Sequence, residues 1–172
     1  VGTTPLHMPL ELFKKIADQA SLYYPTTKLG YAFTEPLVYS HLYESLKYAS
    51  SKNLFTSITT NGLSLRKWAD KLIDADLKEL YISLDGPADI HNEIRGYNKS
   101  FEKAVEGIDY LLSQPKHPKI SIFCVITQWN IGRLKEFLDY FKDYSIEQIG
   151  FMHTNYTPDN VAENHNIRFG ME

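Results

Sequence analysis

The chain has 172 residues, 43% hydrophobic and 23% charged, with a formal net charge of −3. That is ordinary globular composition, long enough for one sizeable core. It offers no strongly basic face for nucleic acid, no apolar run able to cross a membrane, and no secretory signal at residue 1. One cysteine, Cys124, excludes an intrachain disulfide framework and a cysteine-only metal site within these residues, which leaves a cytoplasmic setting as the default.

The first helix is expected over about residues 9–24, with Pro9 suited to the first turn and Phe13, Ile16, Ala17 and Ala20 on one face. "LGYAF" (29–33) reads as a strand. Val38, Leu42, Leu46 and Ala49 then recur at helical spacing. "LFTSIT" (54–59) is a β-rich second strand. Ser64 is placed to cap a helix carrying Leu65, Trp68, Ala69 and Leu72. "ELYISL" (79–84) is the third strand. The stretch 85–99, "DGPADIHNEIRGYNK", reads as a long irregular loop, and such loops are usually functional or mobile. Ser100 is expected to cap a helix carrying Phe101, Ala104, Val105, Ile108, Leu111 and Leu112. "KISIFCVIT" (119–127) is apolar nearly throughout, as a buried parallel strand should be. Asn130 is expected to cap a helix with Leu134, Phe137, Leu138 and Phe141, and "IEQIGFM" (146–152) is the fifth strand.

Helix and strand alternating at this spacing predict an α/β fold with a parallel sheet and outer helices. Five strands are too few to close an eight-stranded barrel, so the expectation is a partial (β/α) TIM-type barrel. No composition break divides the chain, and 1–172 reads as one domain, with 153–172 as an irregular tail. Both ends look unfinished, as in an internal piece of a longer chain. The twelve tyrosines and nine phenylalanines read as packing; Tyr39, Tyr43 and Tyr48 fall on one predicted helix, which argues against a base-stacking sheet face.

In a parallel sheet all strands end at one edge, where loops converge and ligands bind. The residues at the ends of the five predicted strands, or just after them, are Thr34, Glu35 and Pro36; Thr60, Asn61 and Gly62; Ser83, Asp85 and Gly86; Thr127, Gln128 and Asn130; and Met152, His153, Thr154 and Asn155. Hydroxyls, amides and two carboxylates thus gather at one rim. The opposite connections, "SSKN", "DADLK" and "SQPKHPK", carry no comparable set. Each item also has a plain structural reading. Pro36 can start a helix that Glu35 favours through its dipole, and Thr60–Asn61–Gly62 and Asp85–Gly86–Pro87 are turn sequences. It is their coincidence on one edge that points to a site.

The run "FTEPL … TTNG … YISLDGPADIHNEIRG … SFEKAVEGIDYL … VIT..N" resembles the middle of a radical S-adenosylmethionine enzyme, from the first helix to about residue 152. The resemblance implies S-adenosylmethionine as cofactor, a [4Fe–4S] cluster and an electron donor in the complete enzyme, and radical chemistry on an unidentified small molecule or peptide. Thr34, Glu35 and Pro36 match the last three places of the family's Gly-Gly-Glu-Pro motif, which binds the methionine amino group. Ser83 and Arg95 match places suited to the methionine carboxylate. Asn61, Asp85, Thr127 and Asn130 match positions lining the cofactor and substrate rim. No catalytic residue and no metal ligand is assigned here.

Two features depart from the family. Phe33 and Thr34 stand where it has a glycine pair, and the cluster-binding C-x₃-C-x₂-C loop is absent. On this reading the loop belongs upstream of Val1, Cys124 is a buried packing residue, and the chain by itself is inactive. The alternative is a non-catalytic α/β module binding an ordinary small ligand at the same rim. A phosphate-binding barrel is disfavoured because no glycine-rich phosphate loop occurs. His91, His153 and His165 lack metal-ligand spacing.

Overall fold

The computed structural model describes residues 7–153; His153, expected in the tail, ends the fifth strand instead, and the rest of that predicted tail, with Thr154, Asn155 and His165, lies outside the described residues. Five strands form one sheet in the order β1-β2-β3-β4-β5, with every neighbouring pair parallel. They are β1 (Lys28–Tyr31), β2 (Phe55–Thr60), β3 (Glu79–Ser83), β4 (Lys119–Ile126) and β5 (Gln148–His153). The helices are α1 (Leu10–Tyr23), α2 (Leu42–Ser51), α3 (Leu65–Asp74), α4 (Ala88–Arg95), α5 (Ser100–Leu112) and α6 (Leu134–Phe141). Each predicted strand is found within two residues of its expected limits.

Side chains alternate between the two faces of a strand, and paired residues in neighbouring strands share a face. The face holding Ile58, Leu80, Ile82, Ile120, Ile122 and Cys124 is fully buried. It packs on α3 through Leu65, Ala69 and Leu72, and on α5 through Ala104, Ile108 and Leu111. Phe13 and Ala17 of α1, one turn apart, cover Ala49 and Leu54 at the β1 side. The other face carries Ser57, Thr59, Tyr81, Ser83, Phe123 and Val125, all only half-buried. There Tyr81 stacks on Phe123 with ring centres 4.9 Å apart, and its hydroxyl donates to Glu79 at 2.7 Å. One face is therefore core and the other is the open, mixed wall of a partial barrel.

The segment 85–99 is not an irregular loop, because it contains α4. That helix escapes periodicity analysis because its one fully buried side chain is His91 rather than an aliphatic residue. It stops at Gly96, which takes the left-handed φ of 66°. Three expected helix starts also differ. Pro9 precedes α1 with extended backbone, the Ser64 side chain makes no cap bond, and Ser100 is the first residue of α5. Pro36 opens a short 3-10 turn, Pro36–Val38, and α2 begins only at Leu42.

Gly62 sits in the turn after β2 at φ 81°, and a Cβ there would lie 2.6 Å from the Ala104 Cβ. Gly62→Ala should thus combine left-handed strain with overpacking against α5 and cost about 2–4 kcal/mol. Urea unfolding measures it; a loss below about 0.5 kcal/mol would mean that the turn is not held against α5.

Candidate functional site

All strands run the same way, so the ends of β1 to β4 deliver the predicted residues to one edge. They form two clusters.

The first spans β1 and β2. Glu35 follows β1 and its carboxylate turns inward. Oε1 accepts from the Leu37 N–H at 3.0 Å and the Thr60 hydroxyl at 2.7 Å, and Oε2 accepts from the Asn61 N–H at 2.8 Å. The Thr60 hydroxyl also accepts from the Gly62 N–H at 3.1 Å, and Asn61 Oδ1 accepts from the Leu63 N–H at 2.9 Å. Glu35 is therefore a clamp between two strand ends as well as a charge. Pro36 is buried behind it and Thr34 is exposed. Phe33 adopts φ 74°, with its ring wholly in solvent. It keeps the left-handed backbone that favours glycine at about 1–2 kcal/mol of strain. A cavity of about 390 Å³ opens at the β1 edge between Phe13 and Ile16 of α1 and the stretch Thr34, Glu35 and Pro36; Asn61, Ser83, Arg95 and Thr127 do not line it.

The second cluster joins β3, α4 and the turn after β4. Asp85 has a 5% exposed side chain, and its Oδ2 lies 2.7 Å from Arg95 Nη2. Its Oδ1 accepts from the Val125 N–H at 3.3 Å. Asn130 is fully buried. Its Nδ2 donates to the Asp85 and Val125 carbonyls, each at 2.7 Å, and its Oδ1 accepts from the Thr127 N–H at 2.7 Å. Asn130 thus holds the turn after β4 by internal bonds rather than by capping α6. The Thr127 hydroxyl accepts from the Trp129 N–H at 3.3 Å. Ser83 lies on the open face between the clusters, half-buried, and its hydroxyl makes no hydrogen bond among the described residues.

Sequence reasoning missed His91 and Ser100. The Asp85 N–H donates to His91 Nδ1 at 3.0 Å, so the ring proton sits on Nε2, which donates to Ser100 Oγ at 3.0 Å. One signal was available: His91 and Arg95 are four residues apart, on one helical face turned towards Asp85. Cys124 faces the core beside this network, and burial, with Asp85 adding to it, pushes its thiol up to about 12. Among the described residues no group of His, Cys, Asp or Glu is arranged to hold a metal ion, and no helix is long and apolar enough to cross a membrane.

A parallel (β/α) partial barrel with polar residues gathered at the C-terminal strand edge defines the class of fold, an open scaffold of the TIM-barrel type. The sequence model of the radical SAM superfamily matches residues 2–141, and the chain belongs to that superfamily. This family works with S-adenosylmethionine and a [4Fe–4S] cluster. Over 124 residues the chain is 33% identical to GTP 3′,8-cyclase of Staphylococcus haemolyticus, covering 70% of this chain and 36% of that protein. It is 33% identical over 105 residues to the mycofactocin maturase MftC of Mycolicibacterium smegmatis, covering 60% and 26%. The chain thus spans about a third or less of the length of these relatives. Streptococcus suis SuiB bound to S-adenosylmethionine superposes with a TM-score of 0.75 at 16% identity, over 98% of this chain and 41% of that one. The protein anSMEcpe with bound AdoMet gives 0.72 at 19% identity, over 89% and 44%. These two show the shared fold.

Burial pushes His91 down to about 4 from 6.5; Asp85 and Glu102 oppose that shift and Arg95 adds to it. The unfolded chain therefore takes up a proton below pH 6.5 that the folded chain refuses until about pH 4. The stability held above pH 6.5 should be lost as pH falls towards 4, by up to about 3 kcal/mol. His91→Asn, which can keep an acceptor near the Nδ1 position, should flatten that dependence in urea unfolding across the window. An unchanged slope would remove His91 as its source.

Proposed function

We propose that the rim over β1 to β4 binds the amino-acid end of S-adenosylmethionine, and that the complete protein uses it for radical chemistry. The carrying observation is Ser83, a hydroxyl without a partner among the described residues, on the open face between an acceptor-rich and a donor-rich cluster. An α-amino acid is an ammonium beside a carboxylate. Glu35, with a lone-pair position left on Oε2, and the carbonyl of Thr34 suit the ammonium. The Ser83 hydroxyl and the unused N–H groups of Arg95 suit the carboxylate. Asn61 and Thr127 flank these groups. Asp85, Asn130 and Pro36 shape the rim from behind.

The donor and acceptor set fits S-adenosylmethionine. It does not fit an iron–sulfur cluster, since the one cysteine is buried within β4. On this reading the chain contributes the cofactor-binding half and no cluster ligand, and alone it does not perform the reductive step. When bound and reductively cleaved, S-adenosylmethionine supplies a 5′-deoxyadenosyl radical that takes a hydrogen atom from the substrate. The residues here hold the cofactor, fix its orientation and limit water at the strand ends. The substrate is a small molecule or peptide. Two structural neighbours carry bound peptides, SuiB the precursor peptide SuiA and anSMEcpe the Kp18Cys peptide, and fold alone does not choose among substrates.

Ser83→Ala should weaken S-adenosylmethionine binding by about 1.5–3 kcal/mol, the worth of a hydrogen bond to a charged group. Titration calorimetry on the purified chain measures this. Unchanged affinity would take Ser83 out of the site, and no binding by the unaltered chain would favour a different small ligand.

A further inference from the structure

We propose that Asp85 and His91 are positioning residues for Arg95: Asp85 anchors one edge of the guanidinium, and His91 holds Asp85, so that the remaining Arg95 N–H groups face a ligand carboxylate. The proposal rests on the reading of the rim as an S-adenosylmethionine site.

Asp85 is nearly as buried as the aliphatic core, and an ionised carboxylate there must be paired. Its partner is Arg95 at 2.7 Å, and its other oxygen takes the Val125 N–H. Both oxygens thus have a protein partner, and the side chain is too buried to present itself to a ligand. Arg95 differs: its side chain is one-third exposed, and Asp85 is its one ion-pair partner among the described residues. A guanidinium presents five N–H donors in a rigid plane. Anchoring one edge on a buried carboxylate sets that plane and leaves the other edge for a second, bidentate carboxylate.

The anchor is itself anchored. His91 lies one helical turn before Arg95 on α4 and accepts the Asp85 N–H through Nδ1, while Ser100 at the start of α5 accepts the Nε2 proton. Asn130 takes the Asp85 carbonyl from the other side. The Asp85 backbone is thus fixed at both its N–H and its C=O by buried side chains, next to Gly86 at φ 142°. Loosening either bond would move the Asp85 carboxylate, and Arg95 with it, without touching any group that meets the ligand.

The test compares S-adenosylmethionine with its analogue lacking the α-carboxylate, by calorimetry on the purified chain. The unaltered chain should prefer S-adenosylmethionine by about ten- to a hundredfold, the worth of one bond to a charged group. Asp85→Asn should remove most of that preference while leaving affinity for the analogue within about twofold, and Arg95→Gln should do the same. Asp85→Glu, which keeps the charge but displaces it, serves where Asp85→Asn does not fold. His91→Leu should lower the preference and His91→Asn should restore part of it. If the Asp85 variants weaken both ligands equally, or keep the preference, the positioning role is overturned while the site stands. If the unaltered chain binds neither ligand, or binds both alike, the site reading and the positioning role fail together.

Discussion

Every connection in this sheet has to carry the backbone from the end of one strand back to the start of the next, because all neighbouring strands are parallel. That constraint puts a helix between strands, covers one face with apolar side chains, and collects all strand ends on one edge. The core follows from it. Ile58, Leu80, Ile82, Ile120 and Ile122 are buried because helices cross their face. The site follows as well, since a short turn after each strand is where polar groups can face a ligand without interrupting the ladder.

At that edge the polar residues divide into holders and presenters. Glu35, Asp85, Asn130 and His91 spend their hydrogen-bonding capacity largely on the protein itself. They are buried or half-buried, and a polar group in such a place must be bonded. Ser83, Arg95 and Thr34 keep capacity in reserve at the surface. A ligand site needs both kinds, because a presenting group is only as well placed as the groups behind it. The network joining β3, α4, α5 and the turn after β4 also couples local geometry to charge. Asp85 and Arg95 neutralise each other, and the neutral imidazole of His91 keeps a second positive charge out of the same pocket.

Much of this was legible in the order of residues. Periodicity located all five strands and five of the six helices, since alternation and 3.6-residue spacing are local properties. "TTNG" announced its turn, and Gly62 does take a positive φ. The rim set was legible because parallel topology makes every strand end equivalent. The helix α4 was not legible, because its buried position is a histidine and sequence cannot show that Ser100 and Asp85 lie beside it. Nor could sequence tell which polar rim residues are consumed internally. Glu35 meets Thr60 and Asn61 across 25 and 26 residues, and Asn130 meets Asp85 across 45. The sequence by itself determined the parallel alternation, the identity of the polar strand ends and the superfamily motifs, because each is a matter of local pattern. Only the tertiary structure decided which of those groups are buried and satisfied and which stay free, because that depends on partners brought together from distant parts of the chain.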